Sequence, residues 1–201
     1  MARRNDHSRE QIHQMAIDAA IQLLNTEGAN SLSTRKVAKV IGYSAGTLYL
    51  VFKNLDELIL SVNAATLEEL QLQMQQATAE YPNEPQQALC AMAMAYLSYA
   101  QQYYARWSLL FTHQLPDGQP LPAWLEERIQ QPFVLVEQLL MKLKPAADQY
   151  SYQLATRTLW SSVHGICELA LSNKLTIGTQ LSTKALIETL IDHYLTGFTQ
   201  R

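Results

Sequence analysis

The sequence predicts an all-α protein, and three observations predict it. Apolar residues recur at three- and four-residue spacing, as in Thr34, Val37, Ala38 and Ile41, the period that gathers them on one helix face. The segments carrying this pattern are opened by capping residues and closed by glycine or proline. Strand-like alternation of useful length, internal repeats and low-complexity tracts are missing from the sequence.

At 201 residues, 48% of them apolar, the chain is long enough for one or two domains with a substantial core. No apolar run approaches the length that spans a bilayer. The opening MARRNDHSRE is polar and lacks an apolar signal core, so a cytoplasmic protein is expected. Cys90 and Cys167 lie far apart in apolar helical settings and form no metal or redox spacing. They read as buried free thiols, with a redox sensor as the alternative. The net charge of −3 argues against a nucleic-acid binder until its distribution is seen. Residues 1–55 hold seven Lys or Arg against four Asp or Glu, which leaves +3, so the remainder carries −6. A locally basic end on an acidic body fits a protein that touches DNA with one domain.

Taken in order, Ser8 to Gln11 forms a capping box for the first helix, whose inner stripe runs from Ile12 to Leu24 before Gly28 ends it. Arg3 and Arg4 precede it, either as a short arm towards DNA or as a frayed terminus. A second helix follows Ser33 as cap and stops at Gly42, where a left-handed residue is wanted. Ser44 caps a third, whose Leu48 and Phe52 share the apolar face of the second. Two helices joined by a glycine turn form a helix-turn-helix, at about residues 33–52, whose second helix lies in a DNA major groove. An ordinary helical hairpin with a polar face is the plain alternative. The outward side of the third helix holds Ser44, Ala45, Gly46, Thr47 and Tyr49 and no carboxylate. Arg35, Lys36 and Lys53 add cations around it.

The fourth helix opens at Asn54, with Asp56 and Glu57 favourable to its dipole, and runs without a linker towards Ala79. Pro82 and Pro85 punctuate it. A Met- and Tyr-rich fifth helix covers Gln86 to Tyr104, a short sixth Ala105 to His113, and LPDGQPLP at 115–122 is a loop. A seventh runs from Pro122 to Lys144 with a kink near Pro132. The eighth covers about Asp148 to Asn173 and the ninth Thr183 to Gln200.

Residues 9–60 resemble the DNA-binding domain of the tetracycline-repressor (TetR/AcrR) family. The resemblance is carried by Ile17–Leu24, Glu27-Gly28, Ser33-Thr34-Arg35-Lys36-Val37-Ala38, Gly42 through Tyr49, Phe52-Lys53-Asn54 and Asp56-Glu57-Leu58. Val51 stands where the family has an aromatic residue or histidine, and Leu55 where it has lysine. Val51 then either touches a thymine methyl in the groove or packs inward on the first helix. Trp160 and His164-Gly165 resemble the Trp-His-Gly type of the family's C-terminal domain. Gly165, a costly residue inside a helix, fits either a tight core crossing or a subunit interface.

The resemblance implies a three-helix helix-turn-helix domain at 1–55, then a six-helix ligand-binding and dimerisation domain at 56–201. It implies a transcription regulator, a repressor binding palindromic operator DNA as a homodimer and released by a small apolar or aromatic effector. Ser33, Thr34, Arg35, Ser44, Ala45, Gly46, Thr47, Tyr49, Val51 and Lys53 are the candidate DNA-binding residues. Ser33, Thr47, Tyr49 and Lys53 would hold phosphates, and Arg35 and Thr47 would read base edges. Tyr103, Trp107, Phe111, His113, Trp124, Trp160 and His164 are the candidate effector pocket, although aromatic stripes at helical spacing are usually core. Val163, Ile166 and Ala170 on the eighth helix, with Leu186, Ile187, Leu190, Ile191 and Tyr194 on the ninth, are the candidate dimer interface. No paired carboxylates, metal-spaced cluster, nucleophile motif or phosphate loop support an enzyme, and no cofactor or metal is expected. A constitutive DNA-binding dimer with a filled core is the other alternative.

Overall fold

The computed structural model describes residues 7–28, 31–116 and 118–200. Among these residues the chain forms α1 (Arg9–Glu27), α2 (Thr34–Val40), α3 (Ala45–Leu48), α4 (Leu55–Ala79), α5 (Pro85–Gln102), α6 (Tyr104–Thr112), α7 (Ala123–Leu143), α8 (Gln149–Leu171) and α9 (Thr183–Gln200), and no strand. Arg3 and Arg4 lie outside the described residues. No helix among those described is long and apolar enough to cross a membrane.

The helix ends follow the expected capping chemistry. Ser8 and Gln11 satisfy each other's backbone: the Gln11 amide donates to Ser8 Oγ at 3.2 Å and the Ser8 amide to Gln11 Oε1 at 2.7 Å. Asp148 does the same service for α8, accepting from the Ser151 amide at 2.7 Å. Hydrogen bonds from Ser151, its side chain first and then this amide, lower the Asp148 pKa. α7 is one continuous helix through Pro132.

By backbone packing the chain divides into two compact units, Met1–Leu67 with Tyr103–Leu125, and Glu68–Gln102 with Glu126–Arg201. The division falls inside α4.

In the first unit α1 packs on α2, α3 and α6. Its inner face mixes Ala16, Ala19 and Ala20 with Ile12, Ile17, Leu23 and Leu24, all buried, and the alanines let neighbouring helices come close. Leu24, Val37, Leu48, Phe52, Leu58 and Val62 complete the core, joined by Leu109 of α6. Arg106 is also buried here, its Nε donating to Thr66 Oγ1 at 3.4 Å and its guanidinium lying 5.2 Å from the Tyr103 ring centre.

In the second unit α9 packs on both α5 and α8, and α5 on α8. Ile187, Ile191 and Leu195 fill the seam of α9, and Leu159, Val163 and Cys167 that of α8. The ninth helix therefore finds its apolar partner inside the same chain. Of the candidate dimer-interface residues, Ile187, Ile191 and Val163 are buried within this unit, so their packing is satisfied in the single chain. Periodicity fixes a face but not the neighbour that covers it. Ile166, Ala170, Leu186, Leu190 and Tyr194 are half-buried. A Cβ built at Gly165 meets nothing within 4 Å, which removes the tight core crossing as its reason.

Candidate functional site

The turn between α2 and α3 is built by three local devices. Ser33 caps α2, accepting from the Lys36 amide at 3.3 Å. Gly42 takes φ +75°, a conformation that costs an L side chain. Around it the Tyr43 amide donates to Ala38 O at 2.9 Å and the Gly42 amide to Lys39 O at 3.3 Å, the paired bonds of a Schellman stop. Ser44 then caps α3, accepting from the Thr47 amide at 3.1 Å, while its Oγ lies 3.0 Å from Thr47 Oγ1.

α3 is a single α-helical turn, but the coil does not end with it. The Val51 and Phe52 amides donate to Leu48 O at 3.0 and 2.8 Å, and the Leu50 amide to Thr47 O at 3.1 Å, carrying the winding to Phe52. Leu48 and Phe52 are thereby buried, with the His13 ring stacked on Phe52 at 4.5 Å. The segment from Ser44 to Phe52 is the candidate reading segment of the unit, called the reading segment below. Ser44 and Gly46 are exposed, and Tyr49 and Leu50 are each 57% exposed.

Val51 is half-buried and packs against the unit's core, and so does Leu55. Of the two placements open to Val51, the geometry favours the inward one. Leu50 is the outward apolar residue that the sequence reading passed over. The signal was available, because Leu50 lies two residues, about 200°, round the coil from the inward Leu48.

The cations are unequal. Lys36 Nζ donates to Glu27 Oε2 at 2.8 Å, so its charge is locally balanced. Arg35, Lys39 and Lys53 are exposed. Lys53 is placed by the start of α4, where its amide donates to the Glu57 carboxylate and the Glu57 amide donates to Asn54 Oδ1 at 2.9 Å. Thr34 and Ala45 are half-buried beside the turn. His7 Nδ1 lies 2.7 Å from Tyr43 Oη, tying the approach to α1 onto the turn.

The candidate pocket residues fall into two groups, one in each unit. In the first unit Trp107 is buried, with the Phe111 ring edge-on at 5.3 Å. His113 Nε2 lies 3.4 Å from Asp56 Oδ1, Tyr103 is half-buried, and Trp124 is exposed. In the second unit Trp160 is half-buried, stacked on His164 at 5.5 Å and edge-on to Phe133 at 5.4 Å. His164 Nδ1 is 2.9 Å from Tyr96 Oη. Burial lowers the His164 pKa, against a smaller opposing pull from Glu168.

The same unit carries an open groove of about 830 Å³ lined by Tyr81, Cys90, Met94, Leu143, Lys184 and Glu188 among others. Burial, then the Glu188 and Asp192 carboxylates, raise the Cys90 pKa, and burial pushes Cys167 up to about 12. Both thiols are free and held protonated, which disfavours thiolate chemistry. Among the described residues no group of three His, Cys, Asp or Glu is placed to hold a metal.

Comparison with known proteins adds two family matches. Residues 16–62 match the bacterial regulatory proteins of the tetR family, and residues 89–194 match the tetracyclin repressor-like C-terminal domain. The HTH-type transcriptional regulator AcrR of Shigella flexneri is 30% identical over 88 residues, 42% of this chain and 40% of that protein. The chain thus spans well under half the length of that relative. A protein of unknown function from Rhodococcus sp. RHA1 has the same fold, with a TM-score of 0.78 at 18% identity over 98% of each chain. RolR, solved in complex with resorcinol, superposes with a TM-score of 0.66 at 15% identity, covering 94% of this chain and 88% of RolR.

Proposed function

Because this chain belongs to the tetR family of bacterial transcriptional regulators, we propose that it is a repressor that binds palindromic operator DNA as a homodimer and is released by a small effector. The observation that carries the reading is the outward face of the reading segment. Apart from Tyr49 and Leu50 its residues are small; it bears hydroxyls and no carboxylate, and exposed Arg35, Lys39 and Lys53 belong to the same helix-turn-helix. Small residues admit close backbone approach, while cations and hydroxyls suit phosphate. Residues 1–55 would supply the DNA contacts and residues 56–201 the response and the dimer.

Two heads are needed because one small reading unit buries little, and operator symmetry mirrors protein symmetry. The half-buried Ile166, Ala170, Leu186, Leu190 and Tyr194, with exposed Tyr150, Leu154 and Leu169 of α8, are the surface proposed for the second subunit. The effector is proposed to be a compact aromatic or apolar molecule, in keeping with the aromatic side chains of α6 and α8. The RolR–resorcinol complex, a phenolic ligand on the same fold, supports that class. α4 supports coupling, since one unbroken helix passes from the reading unit into the second. Effector binding would act by favouring one of two head spacings over the other.

The test begins with fragments of the source genome selected by the full-length protein. Binding to a recovered fragment should weaken with salt, and Lys53→Ala should lower the slope by about 1 across all sequences, because one released counterion is lost. A Lys53→Ala protein with altered sequence preference and an unchanged slope would show that Lys53 is no phosphate contact. Titration with phenols, followed through tryptophan fluorescence and operator release together, tests the effector. Quenching that never changes DNA affinity would leave a constitutive DNA-binding dimer.

A further inference from the structure

We infer that Leu50 is the specificity-determining residue of the reading segment and that it receives the C5-methyl group of a thymine in the major groove. The inference rests on the DNA-binding role proposed for residues 33–53.

Between Gly42 and Phe52 the sequence holds no Arg, Lys, Asn, Gln, Asp, Glu or His. Those are the side chains that make directional or two-point hydrogen bonds to guanine, adenine or cytosine edges. The two aliphatic hydroxyls of the segment are committed to one another. Ser44 Oγ and Thr47 Oγ1 lie 3.0 Å apart, and Ser44 Oγ also accepts the Thr47 amide at 3.1 Å. One hydroxyl proton is used inside the pair, so the pair has a single donor left to offer. Ala45 and Gly46 have no side-chain group to bond with. Direct reading by hydrogen bonds is therefore sparse along the whole segment.

Beside the Tyr49 phenol, which is equally exposed, what the segment presents is hydrocarbon. Leu50 stands 57% exposed, while Leu48 and Phe52 on either side face the core and Val51 is half-buried against it. Exposed Lys53, Arg35 and Lys39 belong to the same helix-turn-helix. An occupant that suits this surface is anionic around its edge and apolar at one point within. The major groove has that character, with phosphates along both rims and a single apolar group on its floor, the thymine methyl. A groove read this way discriminates thymine from cytosine and from uracil by one methyl rather than by a hydrogen-bond pattern.

The experiment uses the full-length protein and an operator recovered by genomic selection. Each thymine is replaced in turn by deoxyuridine, and the affinity of wild type, Leu50→Ala and Val51→Ala is measured by fluorescence anisotropy. Wild type should lose roughly fourfold for one thymine in each half-site, the size expected for burying one methyl. Leu50→Ala should bind the modified and unmodified duplexes equally, and Val51→Ala should keep the wild-type sensitivity. If no thymine matters to wild type, or if the loss persists in Leu50→Ala and disappears in Val51→Ala, the inference is overturned while salt-dependent operator binding stands. A protein that selects no fragment above background would overturn the DNA-binding role and this inference with it.

Discussion

The reading segment and α8 each bury one face in their own unit and differ in what they leave outside. The reading segment turns out hydroxyls, a glycine backbone and one leucine, with cations nearby. α8 turns out Tyr150, Leu154 and Leu169, exposed by 71%, 55% and 46%, on the same side as Ser161 and Gly165. These apolar side chains are spaced along the helix, with exposed Ser161 and half-buried Gly165 between Leu154 and Leu169, and are the part of α8 proposed to meet a second protein surface. A polar face edged with cations is stable in water and becomes useful when phosphate arrives. The difference teaches that the two proposed contacts call for different chemistry: the reading segment suits a charged, hydrated partner, and the outward leucines of α8 suit a protein surface.

The sharpest way to break that contrast is to make one substitution in both places. Leu48→Ala removes a buried side chain from the reading unit and should lower unfolding stability by about 2–5 kcal/mol. Leu169→Ala should change the stability of the isolated chain by no more than about 0.5 kcal/mol, as surface substitutions do. Urea unfolding at protein concentrations low enough to avoid association compares them directly. Equal losses would mean that the α8 face is packed in solution rather than open.

A second test puts a charge on the apolar face. Leu154→Glu and Leu169→Glu should each give folded monomers by sedimentation and circular dichroism. Operator affinity should then fall by about two orders of magnitude or more, because the second head no longer binds from the same complex. A Leu169→Glu protein that still sediments as a dimer would move the interface away from that end of α8.

Much of this contrast was legible in the sequence, and the parts that were not share a cause. Ser8, Ser33, Ser44 and Asp148 cap their helices as their spacing implied, and Gly42 has the left-handed backbone its position required. These are local effects, settled within four or five residues. The failures concern partners. The stripe of Ile187 and Ile191 was evident beside α8, but not that α5 would also cover it. Lys36 was readable as a cation, whereas its pairing with Glu27 depends on how α2 meets the end of α1. Val51 was weighed for the groove and Leu50 was not, although rotation about the coil from Leu48 already separated them. The candidate pocket residues follow from side-chain type and helix, and neither says which unit each joins.

A smaller effect is expected from pH. The His164 imidazole is half-buried against Tyr96 and Trp160, and burial lowers its pKa in the fold. The neutral form is therefore favoured when folded. Its contribution is fully present above the ordinary histidine value of about 6.5 and is lost as pH falls through that value towards the lowered one. Wild type should lose more stability between pH 7.5 and 5.5 than His164→Gln does. Equal losses would assign the pH dependence to other groups.

The finest test of the contrast uses two glycines, each with room to spare in the isolated chain. A Cβ at Gly165 meets nothing within 4 Å, and one at Gly46 meets only Ser44 Oγ, at an ordinary 3.6 Å. Both lie within helices, where alanine is favoured over glycine by about 1 kcal/mol. Gly46→Ala and Gly165→Ala should therefore each hold or raise stability by up to that amount, the gain being smaller at Gly46 on its single turn. Their costs should fall on different partners. The methyl at 46 stands where the backbone would approach DNA, so Gly46→Ala should weaken operator binding and leave dimerisation alone. The methyl at 165 stands on the open face of α8, so Gly165→Ala should weaken the dimer and reduce operator binding only as far as monomers accumulate. Sedimentation and anisotropy on the same samples separate the two. Should Gly165→Ala gain stability and dimerise as wild type does, the subunit contact would lie nearer Tyr150 and Leu154, and the glycine would have no role in it.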